Sequence, residues 1–264
     1  MRNADPFDAS ATVSDVTVWF ARWRAWSDAV RETMPMVRDL RYGASDAETL
    51  DLVVPRPGAP LVVFFHGGYW RRLHKDDATY VARGLAPHGV ASAIVNYALS
   101  PAVSLEEIVR QARAAVAWLR LHAAEHGADP NRIVVAGHSA GGHLAAMCAV
   151  DVPVSALVTL SGLHDLRPIA HSFANAWLQL DEERAAALSP ALLAPSAPIT
   201  VLAADGAREH EVFHAQSREF AAAWAQHGCA TTYEETQDDH FTIVSRLNEP
   251  NDPLTTRIAA LAQR

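Results

Sequence analysis

The chain lacks most of the features that would set it apart from ordinary globular proteins. Two cysteines, Cys148 and Cys229, occur in 264 residues. That is too few for a disulfide scaffold, and none is needed at this length, so two buried free thiols are expected. No apolar run approaches a membrane span, and the polar stretch Met1–Ser14 has no apolar signal core. No membrane partner is expected, and the location expected is cytoplasmic. Positive charge is in deficit: the formal net charge is −8, which argues against a nucleic-acid surface. No internal repeat or low-complexity linker divides the chain. Its length suits one α/β domain with a full core, spanning residues 1–264.

What is present is an alternation of strand and helix signals. The uninterrupted apolar run Leu61–Phe65 suits a buried parallel strand, and the mainly apolar Ala91–Asn96, Arg132–Ala136, Val154–Leu160 and Ile199–Ala203 are expected as further strands. Thr49–Val54 and Thr231–Glu235 add two more strands. Helical spacing runs through Val16–Thr33, where Trp19, Phe20, Trp23, Trp26 and Val30 share one face, the usual mark of a helix packed on a domain. Further helices are expected over Asp76–Pro87, Ser104–Ala124, Gly142–Val150, within Phe213–His227, and over Leu254–Ala262. Ser104 and Glu107 form a capping box at the head of the third of these six. The pattern predicts a mostly parallel central sheet with helices on both faces. Leu163–Leu193 breaks the alternation where the carboxyl edge of the sheet should lie, and is expected to form a short cap over a site there.

Gly137-His138-Ser139-Ala140-Gly141 joins a buried strand to a small-residue helix. Strand, sharp turn and helix around a serine is the G-x-S-x-G nucleophile elbow of acyl-transfer hydrolases, in which the glycines remove collisions in a strained turn. Alone, the pentapeptide also fits a glycine-rich turn with a surface serine. Its context is more specific. His66-Gly67-Gly68-Tyr69-Trp70 follows an earlier strand, and His240 follows the last one, so serine precedes histidine as in the α/β-hydrolase order.

Each candidate has a chemical reason. Ser139 needs a base to take its proton, and His240 stands where a base can reach the elbow. A carboxylate near the end of Ile199–Ala203 must orient that histidine; Asp205 and Glu209 both qualify, and chain order does not choose between them. Backbone N–H groups of Gly67, Gly68 and Ala140 can hold the oxyanion. His210-Glu211-Val212-Phe213-His214 matches the H-E-x-x-H zinc-protease signature. It lies in a strand-to-helix loop, lacks the extended continuation, and would leave the elbow unexplained. No metal or organic cofactor is required.

With these residues in place, the chain resembles a kynurenine formamidase (arylformamidase) of the α/β-hydrolase, hormone-sensitive-lipase-like type. His66–Trp70 matches that family's H-G-G-x-W loop, Asn96–Pro101 its N-Y-x-L-x-P loop, and Gly137–Ala145 its G-H-S-A-G-G-H-L-A elbow. Ser161–Leu166 is similar to the start of its cap, and His240–Ile243 to its histidine loop. Aligning Phe213, Gln216 and Ser217 with the family's acid–S/T–x–E–F–x–R–Q–S run puts Glu209 at the acid position, although His210 and Ala215 depart from the pattern. The resemblance implies an α/β-hydrolase fold and cleavage of a small-molecule substrate, N-formyl-L-kynurenine, to formate and L-kynurenine in tryptophan degradation. The aromatic leaving group is expected to pack on Tyr69, Trp70, Phe173 or Trp177. A carboxylesterase for short acyl esters uses the same parts; a non-catalytic binding protein and a zinc metalloprotease rank below both. A homodimer is compatible with the sequence.

Overall fold

The computed structural model describes residues 5–264. The first four residues of Met1–Ser14, and of the domain expected over 1–264, lie outside the described residues. The apolar runs form β3 (Ala59–Phe65), β4 (Ala91–Val95), β5 (Ala128–His138), β6 (Ala156–Leu160) and β7 (Thr200–Gly206). They join β1 (Val37–Arg41), β2 (Thr49–Val53) and β8 (Ala230–Thr236) in one sheet of order β1-β2-β4-β3-β5-β6-β7-β8. β2 runs antiparallel to both its neighbours, β1 and β4; all other pairings are parallel. β3, β4 and β6 are buried throughout, as strands covered on both faces of a parallel sheet are.

The helices are α1 (Val16–Thr33), α2 (Val81–Leu85), α3 (Leu105–His122), α4 (Ala140–Asp151), α5 (Asn175–Leu178), α6 (Glu182–Ala187), α7 (Glu211–Gln226), α8 (Thr242–Ser245) and α9 (Pro253–Ala262). α3 buries its stripe of Leu105, Ile108, Val109, Ala112, Val116 and Leu119. α4, built from small residues, is buried on every side from Ala140 to Ala149. One large apolar core runs through the sheet and its helical layers, with a small separate cluster of Val30, Val53 and Ala82. Cys148 and Cys229 are free and buried. Among the described residues no helix is long and apolar enough to cross a membrane.

Three local expectations change. β1 was not foreseen; it is an exposed edge strand with a bulge at Asp39, so it carries no apolar signal. Asp76–Pro87 is not one helix but a 3₁₀ turn (Lys75–Asp77), the short α2, and a second 3₁₀ turn (Ala86–His88). Side chains there bond elsewhere: Asp77 to Arg24 and to the His74 amide, Lys75 to Asp51. Such side-chain bonds compete with a regular helix. Only half of the capping box forms, because Ser104 Oγ accepts the Glu107 N–H at 3.3 Å while the Glu107 carboxylate turns to Arg110 and Gln111.

Register places the site. Phe65 pairs with Gly137, Val135 with Leu157, and Leu157 with Val201. The carboxyl ends of β3, β5, β6, β7 and β8 therefore reach one edge, and the loops that leave them converge.

Candidate active site

Ser139 sits on the turn between β5 and α4 with φ 56° and ψ −121°. A non-glycine residue is strained there and persists only because its surroundings fix it. The surroundings are tight. A Cβ on Gly141 would come 2.0 Å from the Phe65 carbonyl, and one on Gly137 2.1 Å from the Gly141 carbonyl. Only glycine allows β3, β5 and α4 to meet this closely. Ser139 is buried but opens, with His240, into a cavity of about 210 Å³.

His240 follows β8 and is nearly enclosed. Its Nδ1 lies 2.6 Å from Glu209 Oε2. The other carboxylate oxygen, Oε1, accepts the Ser161 hydroxyl at 2.5 Å and the Gly206 amide at 2.8 Å. The Glu209 side chain is wholly buried. With Oε1 held by two donors, Oε2 is left aimed at the histidine. Asp205 is also buried, but its Oδ1 faces His214 Nδ1 at 3.0 Å and the Tyr233 hydroxyl at 3.3 Å. Of the two carboxylates left open by chain order, the structure brings Glu209 to His240. Ser161, at the end of β6 with φ 49°, is a participant that sequence reasoning missed.

The His240 loop is braced by His138, whose Nε2–H donates to the His240 carbonyl at 2.7 Å. Burial, and then the neighbouring His240, push the His138 pKa well below the ordinary histidine value, so it is a neutral brace. The Phe213 ring packs 4.8 Å from the His240 ring.

The loop after β3 runs beside the cavity, which Gly68 lines while Gly67 and Ala140 do not. Gly68 has φ +106°, and a Cβ there would meet the Arg72 carbonyl at 2.3 Å. Among the described residues, the amides of Gly67, Gly68 and Ala140 find no hydrogen-bond acceptor. Unused N–H groups beside a serine nucleophile can stabilise a developing oxyanion. His66 takes no part in the cavity lining; it stacks on Tyr97 with ring centres 4.3 Å apart, and burial lowers its pKa to about 4.

Of the four aromatics expected around the substrate, three line the cavity: Tyr69, Phe173 and Trp177. Tyr69 and Phe173 meet edge to face at 5.2 Å, Phe173 and Trp177 at 5.5 Å. Trp70 is a correction. It is 0% exposed and packs its ring edge-on to His143 at 5.1 Å, in the core and away from the cavity. Phe173 and Trp177 come from the segment between β6 and β7, where a cap was expected. Another part of the lining was missed: Asp8–Ser10 together with Val16, Phe20 and Trp23 of α1. The aromatic stripe of α1 was visible in the sequence, but it does not reveal what the stripe covers.

The H-E-x-x-H residues do not converge. His210 caps α7 and is exposed, whereas His214 turns to Asp205. Asp205, His214 and Glu235 do place ligand-type atoms within 4.8 Å of one another. The first two form a hydrogen-bonded pair, with Glu235 exposed at their edge.

Sheet order, elbow and a buried histidine–carboxylate pair define an α/β-hydrolase, a serine-dependent enzyme of the esterase type. The BD-FAE family model matches residues 50–224. Kynurenine formamidase from Danio rerio is 30% identical over 249 residues, covering 88% of this chain and 84% of that protein. The chain belongs to the BD-FAE family and, with kinship over most of its length, to the kynurenine formamidase group of α/β-hydrolases. Esterase LipQ from Mycobacterium tuberculosis is 28% identical over 238 residues, 78% of this chain and 56% of that protein. Among solved structures, a chain from Silicibacter sp. tm1040, provisionally described as a thioesterase, is 30% identical. It aligns with a TM-score of 0.84 over 97% of this chain and 98% of its own.

Proposed function

We propose that the chain hydrolyses N-formyl-L-kynurenine to formate and L-kynurenine. The observation that carries the chemistry is the 2.6 Å contact between His240 and Glu209 beside the elbow serine. His240 takes the Ser139 proton as Oγ attacks the formyl carbon. Glu209 fixes the ring and stabilises the imidazolium. The amides of Gly67, Gly68 and Ala140 hold the oxyanion. Collapse breaks the C–N bond, and His240 returns the proton to the departing aryl amine. Water, deprotonated by the same histidine, then attacks the formyl-serine ester and releases formate.

The substrate reading draws on the formamidase kinship and on the cavity wall of Tyr69, Phe173 and Trp177, which suits an aryl leaving group. The test is release of L-kynurenine by the purified protein and by Ser139→Ala. Turnover that vanishes in the variant, with an unchanged circular dichroism spectrum, is the expected outcome. Ser139-dependent cleavage of aryl acetates without any release of kynurenine overturns the substrate and leaves a carboxylesterase.

A further inference from the structure

Two arginines, Arg71 and Arg72, line the Ser139 cavity directly after the Gly67–Gly68 loop. The lining holds one carboxylate against them, Asp8, whose Oδ1 is occupied by the Ser10 amide at 3.1 Å and hydroxyl at 2.5 Å. Arginines elsewhere are mostly spent on acids: Arg24, Arg31, Arg110, Arg184 and Arg246 all sit in ion pairs. Among the described residues neither Arg71 nor Arg72 has such a partner. In a chain of net charge −8, this local excess of positive charge runs against the whole.

Arg71 is also positioned. Its guanidinium lies 4.6 Å from the centre of the Trp177 ring. Trp177 is itself pinned, because its Nε1–H donates to the Tyr69 carbonyl at 3.1 Å. Stacking occupies the face of a guanidinium and leaves its edge N–H groups directed outward, which is the geometry that binds a carboxylate in a fork.

We infer that Arg71, stacked on Trp177, is a specificity-determining residue that binds a carboxylate on the leaving-group side of the substrate. The site then selects anionic aryl substrates over neutral ones. The identity of the substrate rests on the formamidase reading; the sign of its charge does not.

The test therefore uses two pairs of compounds, each an acid and its carboxyl methyl ester. One pair is N-formyl-L-kynurenine and its methyl ester. The other is 3-(4-acetoxyphenyl)propionate and its methyl ester, in which the cleaved bond is the aryl acetate. In the wild type, kcat/KM is expected to favour the acid by about tenfold in each pair cleaved, the scale of one charge-assisted contact. Arg71→Gln is expected to erase that ratio chiefly through KM, and Arg71→Lys to restore part of it. Equal kcat/KM for acid and ester in the wild type overturns the inference, as does a ratio that survives Arg71→Gln. If neither formyl compound is cleaved while the acetoxy pair shows an Arg71-dependent preference, the formamidase reading fails and the inference stands.

Discussion

Asp205 is the next-to-last residue of β7 and Glu209 follows the strand, and their surroundings separate them. Glu209 receives Ser161 and Gly206 on one oxygen and presents the other to His240. Asp205 spends one oxygen on His214 and Tyr233 and leaves the other without a hydrogen-bond partner among the described residues. Glu209→Gln is expected to lower kcat by a factor on the order of 10⁴, the loss that follows when a triad histidine is held in the wrong tautomer. Asp205→Asn is expected to cost less than about tenfold, because Asp205 reaches His240 through no contact. Rates of both variants on one substrate check this, and the reverse order would move the acid to Asp205. That Ser139 and His240 share one cavity was legible from motif and chain order. The contact of Glu209 with His240 was legible only through the family run around Phe213, since composition does not say how the loop after β7 turns. Tyr69 and Trp70 show the limit most sharply. They are neighbours of similar chemistry, but the left-handed turn at Gly68–Trp70 sends one ring to the cavity and the other into the core.

At the scale of an element, α1 shows what periodicity conveys and what it omits. The spacing of Trp19, Phe20, Trp23 and Trp26 established a helix with one apolar face. It did not establish that Phe20 and Trp23 face a cavity while Arg31, on the last turn, faces a buried charge cluster. There Lys75, 1% exposed, lies 2.7 Å from Asp51, which is 0% exposed and takes Arg31 at 2.9 Å on its other oxygen. Asp39, mostly exposed, is the second partner of Lys75 at 2.8 Å. These residues lie far apart in the chain, and no local pattern announces them. Asp51→Ala leaves the buried Lys75 ammonium and the partly buried Arg31 guanidinium with only the more exposed Asp39 and Asp76 as counter-charges and is expected to cost about 3–5 kcal/mol. Asp39→Ala removes an exposed partner and is expected to cost about 1 kcal/mol or less. Urea unfolding of the two variants measures the difference; equal losses would mean that Asp51 does not anchor the cluster.

For the molecule as a whole, histidine burial sets the acid limit. Burial pushes the pKa of both His66 and His143 down to about 4, so each is neutral in the fold and takes up a proton more readily once unfolded. The depressed folded-state value means that this contribution to stability is present above about pH 6.5 and is lost as pH falls towards 4. Each pKa unit is worth about 1.4 kcal/mol, so each histidine contributes about 3 kcal/mol over that window. Unfolding midpoints in urea are expected to fall steeply between pH 6.5 and 4; a flat profile there would contradict the assignment. The broad layout of the molecule, parallel sheet and convergent carboxyl edge, was legible because short, mainly apolar segments alternate with helical patterns along the chain. The cavity wall was not, because its two halves belong to different regions of the chain. That division has a consequence. Phe7 takes the Tyr69 hydroxyl on its carbonyl, and Asp5 takes the Phe173 amide at 2.6 Å, so the amino-terminal segment is tied to both the loop after β3 and the segment that follows β6. It lies outside the sheet and outside residues 50–224 that match the family model. Substitutions in this segment can reshape what enters the cavity while the strained serine turn stays fixed. The turn that carries the serine and part of the wall that admits a substrate are thus built from separate stretches of chain.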